Sequence, residues 1–113
     1  MLPLEVRKLL WDVLDHAGYM EEAIATRTVS DFETDRALRF SISYALQTVG
    51  EALRQASRID ASLENLLTSY RQISGFRNRL VHGYGSVDPD IVWGIIHDHL
   101  PLLVREVRAL LSE

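Results

Sequence analysis

Residues 30–57, SDFETDRALRFSISYALQTVGEALRQAS, carry the clearest helical pattern of this chain. The apolar side chains recur at intervals of three and four residues, a spacing that places them on one face of an α-helix: Leu38, Ile42, Ala45, Val49 and Leu53. Ser30 and Glu33 fit a capping box, in which a hydroxyl and a carboxylate satisfy exposed backbone N–H groups at the start of a helix. We therefore predict one helix from about Ser30 to about Ser57.

The same spacing predicts three further amphipathic helices, over about residues 3–23, 63–83 and 89–113. Asp88 is the expected cap of the last of them, with a proline following as its first helical residue. Gly50, inside the second helix, has no side chain and so permits the close approach of a neighbour. Four helices with short connections and no alternating strand pattern predict an all-α bundle.

Composition restricts the class of protein. The 113 residues suffice for one domain of ordinary size, and 47% apolar with 25% charged residues is the balance of a soluble globular protein rather than a disordered one. Cysteine is absent, which excludes disulfides and thiolate metal sites. The formal net charge of −4 argues against coating nucleic acid through the overall field, but it leaves room for a local basic site.

The amino-terminal segment carries charges throughout and lacks the apolar core and cleavage site of a signal peptide. An apolar run long enough to span a bilayer, about 18 residues, is not found in the sequence. We therefore expect no membrane association and a cytoplasmic location.

Several side chains that could bind phosphate or exchange protons lie within residues 75–85, GFRNRLVHGYG, where the third helix is expected to end. Arg77 offers a planar charged fork that matches phosphate oxygens, and a histidine such as His82 can exchange a proton near neutral pH. Asn78 can orient a ring nitrogen or a ligand oxygen. Together these are the parts for metal-free RNA cleavage. The spacing is also compatible with a structural interpretation, in which the helix dipole favours the cations and Tyr84 packs over the helix end.

The segment RNRLVHGY, residues 77–84, resembles the R-N-x-x-x-H-x-Y signature of the HEPN superfamily and, within it, of the HepT-like toxins. The similarity extends to residues 29–54 and 87–107, which resemble the second and last helices of that family. It covers most of the chain, from about Thr28 onward. The resemblance implies a single HEPN domain over residues 1–113. The expected architecture is a four- to five-helix up-and-down bundle that forms a homodimer, with the two motifs meeting across a cleft.

The resemblance also implies a function: the toxin of a type VII toxin–antitoxin system, a metal-independent endoribonuclease that cleaves tRNA or mRNA and needs no cofactor. Its implied partner is a cognate MntA-like nucleotidyltransferase antitoxin, which transfers AMP to Tyr84. An AMP group at this position would place a bulky anion where the RNA phosphate has to bind.

The motif residues receive roles accordingly. His82 is the expected general acid/base, Arg77 binds the scissile phosphate, and Asn78 orients. Arg79 and Arg71 flank the motif and are candidates for RNA contacts. The alternative is a non-catalytic module in which the same pocket binds a nucleotide or the partner nucleotidyltransferase without cutting RNA.

Two other sets of residues invite interpretation. His97 and His99 lie two positions apart, hence on different faces of a helix, and without a third ligand they are better read as solvent-facing or interface residues than as a metal site. Trp11 and Trp93 are expected to anchor the core or a dimer interface rather than to stack on bases.

Overall fold

The computed structural model describes residues 2–83 and 88–113, with the side chains of residues 78 and 80–83 excepted. The chain is all-α, as the sequence predicts. Within the described ranges the helices are α1 (Leu4–Ile24), α2 (Val29–Thr34), α3 (Arg36–Ile59), α4 (Leu63–Leu66), α5 (Tyr70–Gly83) and α6 (Pro89–Leu111).

The four long helices form a closed ring around one core. Helix α1 packs between α3 and α6, and α5 packs between the same two helices on the other side. The apolar stripe predicted for the second helix is buried, with each member at most 5% exposed: Leu38, Ile42, Ala45, Val49 and Leu53. In the described part of the chain, none of the helices has the length and apolar character that crossing a membrane requires.

The prediction of a single helix over about residues 30–57 is wrong in one respect, because the helix is interrupted at Asp35. The backbone of Asp35 is extended, and its carboxylate accepts a hydrogen bond from the N–H of Leu38 at 3.0 Å, so it caps α3. The side chain of Arg39 then donates to backbone carbonyls at the end of α2. The cap at Asp35 therefore divides the predicted helix in two.

The capping box lies two residues earlier than predicted. Thr28, not Ser30, caps α2: its hydroxyl accepts from the N–H of Asp31 at 3.2 Å, and the carboxylate of Asp31 accepts from the N–H of Thr28 at 2.9 Å. The segment offers several residues capable of capping, and the pattern alone does not rank them.

The third predicted helix is also divided, into α4 and α5. Side chains of α6 form hydrogen bonds with the residues between these two helices. Glu106 accepts hydrogen bonds from the N–H and the hydroxyl of Thr68, at 3.0 and 2.8 Å. The hydroxyl of Ser69 lies 3.0 Å from Nδ1 of His99. The bond that the N–H of Thr68 donates to Glu106 takes the place of the intrahelical bond that a continuous helix would have made there, and the two hydroxyl contacts tie the same segment to α6.

The start of α6 follows the prediction. The Asp88 carboxylate accepts a hydrogen bond from the N–H of Asp90 at 2.9 Å, and Pro89 is the first helical residue. The end of α5 and the start of α6 therefore lie on either side of the undescribed residues 84–87.

Candidate functional site

Arg77 is the motif residue whose surroundings the structure describes most fully. It lies on the side of α5 that faces α3, with 25% of its side chain exposed. Its Nε is 3.2 Å from Oε2 of Glu51, whose side chain is 32% exposed. A guanidinium stays charged at every physiological pH, so this position presents a permanent, partly enclosed cation at the surface of the bundle.

Gly50 lets Arg77 approach α3 this closely. A Cβ added at Gly50 would lie 2.8 Å from Cβ of Arg77 and 3.4 Å from its Cγ and Cδ. The nearest of these atoms belongs to the stem of the side chain, which cannot move away without moving α5. The close approach expected at Gly50 is thus confirmed, and the neighbour is the motif arginine itself.

We expect Gly50→Ala to destabilise the protein. Alanine gains about 1 kcal/mol of helix propensity over glycine, but the overpacking against Arg77 costs about 1–3 kcal/mol and displaces α5. Gly94→Ala in α6 is the matched control, because nothing lies within 4 Å of a Cβ at that position. Urea unfolding should show a loss of stability for Gly50→Ala and a gain for Gly94→Ala. An equal gain for both would contradict the tight contact between α3 and α5.

The other motif positions lie on α5 or beyond it. Because α5 runs to residue 83, its predicted end, positions 78 and 82 lie one turn apart on one face, and Arg71 lies along the same face. Arg77 belongs to the side of the helix that faces α3. The side chains of Asn78 and His82, and the whole of Tyr84, lie outside the described residues. The roles assigned to these three remain predictions.

The two flanking arginines are exposed on α5. The guanidinium of Arg79 lies over the ring of Phe76, 5.2 Å from its centroid. Within the described part of the chain neither Arg71 nor Arg79 has a carboxylate at ion-pair distance. Their charges are therefore not neutralised by described side chains, which is compatible with the predicted contacts to RNA phosphates.

Sequence reasoning missed Glu51 and Gln55. Nε2 of Gln55 donates a hydrogen bond to Oε1 of Glu51 at 3.2 Å, while the other oxygen of this carboxylate faces Arg77. The spacing of four between Glu51 and Gln55 is visible in the sequence. No spacing rule links either of them to Arg77, because that contact joins two different helices.

His97, His99 and the two tryptophans contact neighbouring side chains of the bundle. His99 contacts Ser69, and the ring of His97 lies 4.9 Å from that of Trp93. Trp93 is partly buried against the core, as predicted. Trp11 is 46% exposed, with the guanidinium of Arg7 over its ring, so it does not anchor the core. The other predicted role of Trp11, in a dimer interface, stays a prediction. An exposed ring forms no part of the packing inside the bundle.

A mostly apolar groove of about 600 Å³ lies between α1 and α3. Tyr19, Phe40 and Tyr44 supply aromatic rings to it, and Asp15 and His16 contribute polar groups. Its lining contains no arginine or lysine in the described part of the chain. The described motif residues do not line this groove, so it does not bear on the nucleotide-binding alternative, which concerns the motif.

Comparison with known proteins identifies the relatives of the chain. A family model described as "Ribonuclease HepT-like" matches residues 13–110. A Methanocaldococcus jannaschii protein named "Putative RNase" is 26% identical over 104 residues, covering 92% of this chain and 94% of that protein. A Thermococcus cleftensis protein named "Probable ribonuclease HepT" is 26% identical over 101 residues, covering 89% and 91%. No solved structure matches the chain significantly.

Proposed function

Because this chain belongs to the HepT-like ribonuclease family of the HEPN superfamily, we propose that it is a metal-independent endoribonuclease that acts through Arg77 and His82. The observation that carries the proposal is the local environment of the Arg77 side chain. The bundle holds a permanent cation, one-quarter exposed, beside a glycine that admits it and a carboxylate that pairs with it. A fixed, partly desolvated guanidinium is well suited to a phosphate whose charge grows during the reaction.

In the proposed reaction, His82 takes the proton of a ribose 2′-hydroxyl. The 2′-oxygen attacks the adjacent phosphorus, and Arg77 stabilises the charge that develops on the phosphate oxygens. The bond from phosphorus to the 5′-oxygen breaks, and a protonated imidazole returns a proton to that oxygen. The products are a 2′,3′-cyclic phosphate and a 5′-hydroxyl. Asn78 orients the reacting groups, and Arg71 and Arg79 bind neighbouring phosphates.

We place this reaction in a homodimer. The net charge of −4 disfavours RNA binding by a single copy, whereas a cleft shared by two copies contains two sets of motif arginines. It also contains two copies of His82, so one imidazole can accept the proton while the other donates one. Sedimentation analysis tests the dimer independently of activity.

The test of cleavage is direct. The purified protein is incubated with tRNA and mRNA in excess EDTA, and the ends of the fragments are analysed. We expect 2′,3′-cyclic phosphate ends and no cleavage of DNA of the same sequence, because DNA lacks the attacking hydroxyl. RNA that is bound but remains intact would contradict the proposal and favour the non-catalytic module.

We further propose that the protein is the toxin of a toxin–antitoxin pair and that Tyr84 is its regulatory residue. Incubation with the cognate nucleotidyltransferase and ATP should increase the intact mass in steps of AMP and abolish cleavage, because the added phosphate competes with RNA for the arginines. Tyr84→Phe should keep its mass and its cleavage activity under the same treatment. A mass gain that persists in Tyr84→Phe would place the modification elsewhere.

A further inference from the structure

We propose that Glu51 is a positioning residue for RNA cleavage: it orients the guanidinium of Arg77 toward the scissile phosphate, and Gln55 in turn holds Glu51. The inference rests on the proposed function, and it adds a second helix, α3, to a site so far built on α5 alone. Neither residue belongs to the motif that first indicated the site.

The contacts form a short chain of polar groups. Oε2 of Glu51 lies 3.2 Å from Nε of Arg77, and Oε1 of the same carboxylate accepts a hydrogen bond of 3.2 Å from Gln55. Both oxygens therefore have a partner, and the carboxylate has little freedom to rotate. Gly50, adjacent to Glu51, brings the stem of Arg77 against α3, so that the guanidinium meets the carboxylate at short range.

The geometry of arginine explains what this pairing does. A guanidinium is planar and donates in a fixed fork, so engaging its Nε side determines the direction of the terminal amino groups. These groups are the ones that match two oxygens of a phosphate. Glu51 thus supplies orientation, which the long and flexible arginine side chain does not have by itself.

Two simpler explanations account poorly for Glu51. The pair is about one-quarter to one-third exposed, and the cost of taking its two charges out of water offsets much of their attraction, so the pair adds little to stability. A negative charge next to a phosphate site also weakens RNA binding through the field alone. A carboxylate that adds little stability and repels the substrate is best explained if its role is to orient the guanidinium of Arg77.

The test is Glu51→Gln, which keeps the size of the side chain and removes its charge. We expect kcat for RNA cleavage to fall by about 10–100-fold, the effect typical of losing a group that orients a reacting one. KM should stay the same or decrease, because the repulsion of RNA is also removed. The midpoint of thermal unfolding should change by no more than a few degrees. Glu22→Gln, which removes the same charge from an exposed position on α1, should leave kcat unchanged.

A double-mutant cycle decides whether Glu51 acts through Arg77. In an Arg77→Ala background, Glu51→Gln should cause no further loss of kcat, because the group it orients is gone. Equal losses in both backgrounds would show that Glu51 acts independently, and unchanged or higher kcat in the single variant would also overturn the inference. A parent protein that does not cut RNA would overturn the proposed function and the role of Glu51 with it. An active parent with a fully active Glu51→Gln variant overturns only the latter.

Discussion

Replacing Arg77 by alanine is expected to reduce kcat for RNA cleavage by about 10²–10³-fold, the typical effect of removing one preorganised group that stabilises developing charge. The structure gives this residue two properties that favour a large effect. Its side chain is three-quarters covered, and it is held between Gly50 and Glu51. The charge is therefore in place before substrate arrives, and little reorganisation is needed during the reaction.

The stability of the Arg77→Ala variant should change much less than its activity. Loss of this mostly covered ion pair and of the packing of the Arg77 stem costs about 1–2 kcal/mol, so the variant should fold and keep its oligomeric state. Single-turnover cleavage, urea unfolding and sedimentation measure the three quantities separately. Arg105→Ala, which removes an exposed arginine from α6, is the matched control and should cleave at the parental rate.

Arg77→Lys separates charge from geometry. Lysine keeps the positive charge but lacks the fork that binds two phosphate oxygens, so we expect most of the activity to remain lost. If lysine restored cleavage fully, a point charge would suffice and the orienting contact with Glu51 would have no function. If Arg77→Ala itself cleaved RNA at the parental rate, the assignment of the phosphate-binding group would be wrong.

Replacing His82 by alanine should reduce kcat for cleavage by about 10²–10⁴-fold, the usual contribution of a positioned acid or base. Growth inhibition on expression in cells should disappear with it. RNA binding should change little, because the arginines proposed to bind phosphate remain. His97→Ala removes an imidazole that lies 4.9 Å from the ring of Trp93 in α6 and provides the control for histidine loss elsewhere.

The His82→Ala variant also tests the dimer in which we place the reaction. Mixing it with Arg77→Ala produces heterodimers that each retain one intact histidine and one intact arginine. If the two motifs form one shared cleft, the mixture should cleave RNA faster than either variant alone. A mixture no faster than the sum of its parts would contradict a shared site in which one histidine and one arginine from different subunits suffice.

Comparison of the predicted and observed helices shows which features are local. The stripe from Leu38 to Leu53 could be predicted because helical periodicity is a property of neighbouring residues, and its burial follows from it. The cap at Asp88 was predictable for the same reason. The break at Asp35 was not, because several residues of that segment can cap a helix.

The break before α5 has a tertiary cause. Thr68 leaves the helical pattern and donates its N–H and its hydroxyl to Glu106 of α6, while the hydroxyl of Ser69 contacts His99. Local propensity favours a continuous helix through this segment, and contacts with a distant helix override it. Such contacts become visible only when α5 and α6 are packed together.

The sequence by itself determined the all-α fold, the core-facing stripes and the motif from Arg77 to Tyr84, because each depends on the types and spacing of neighbouring residues. Only the tertiary structure showed that Gly50 and Glu51 of α3 meet Arg77 of α5. That pairing depends on how two amphipathic helices bury their apolar faces against each other, and no sequence spacing encodes it. The same packing that excludes water from the core thereby determines which carboxylate faces the motif arginine.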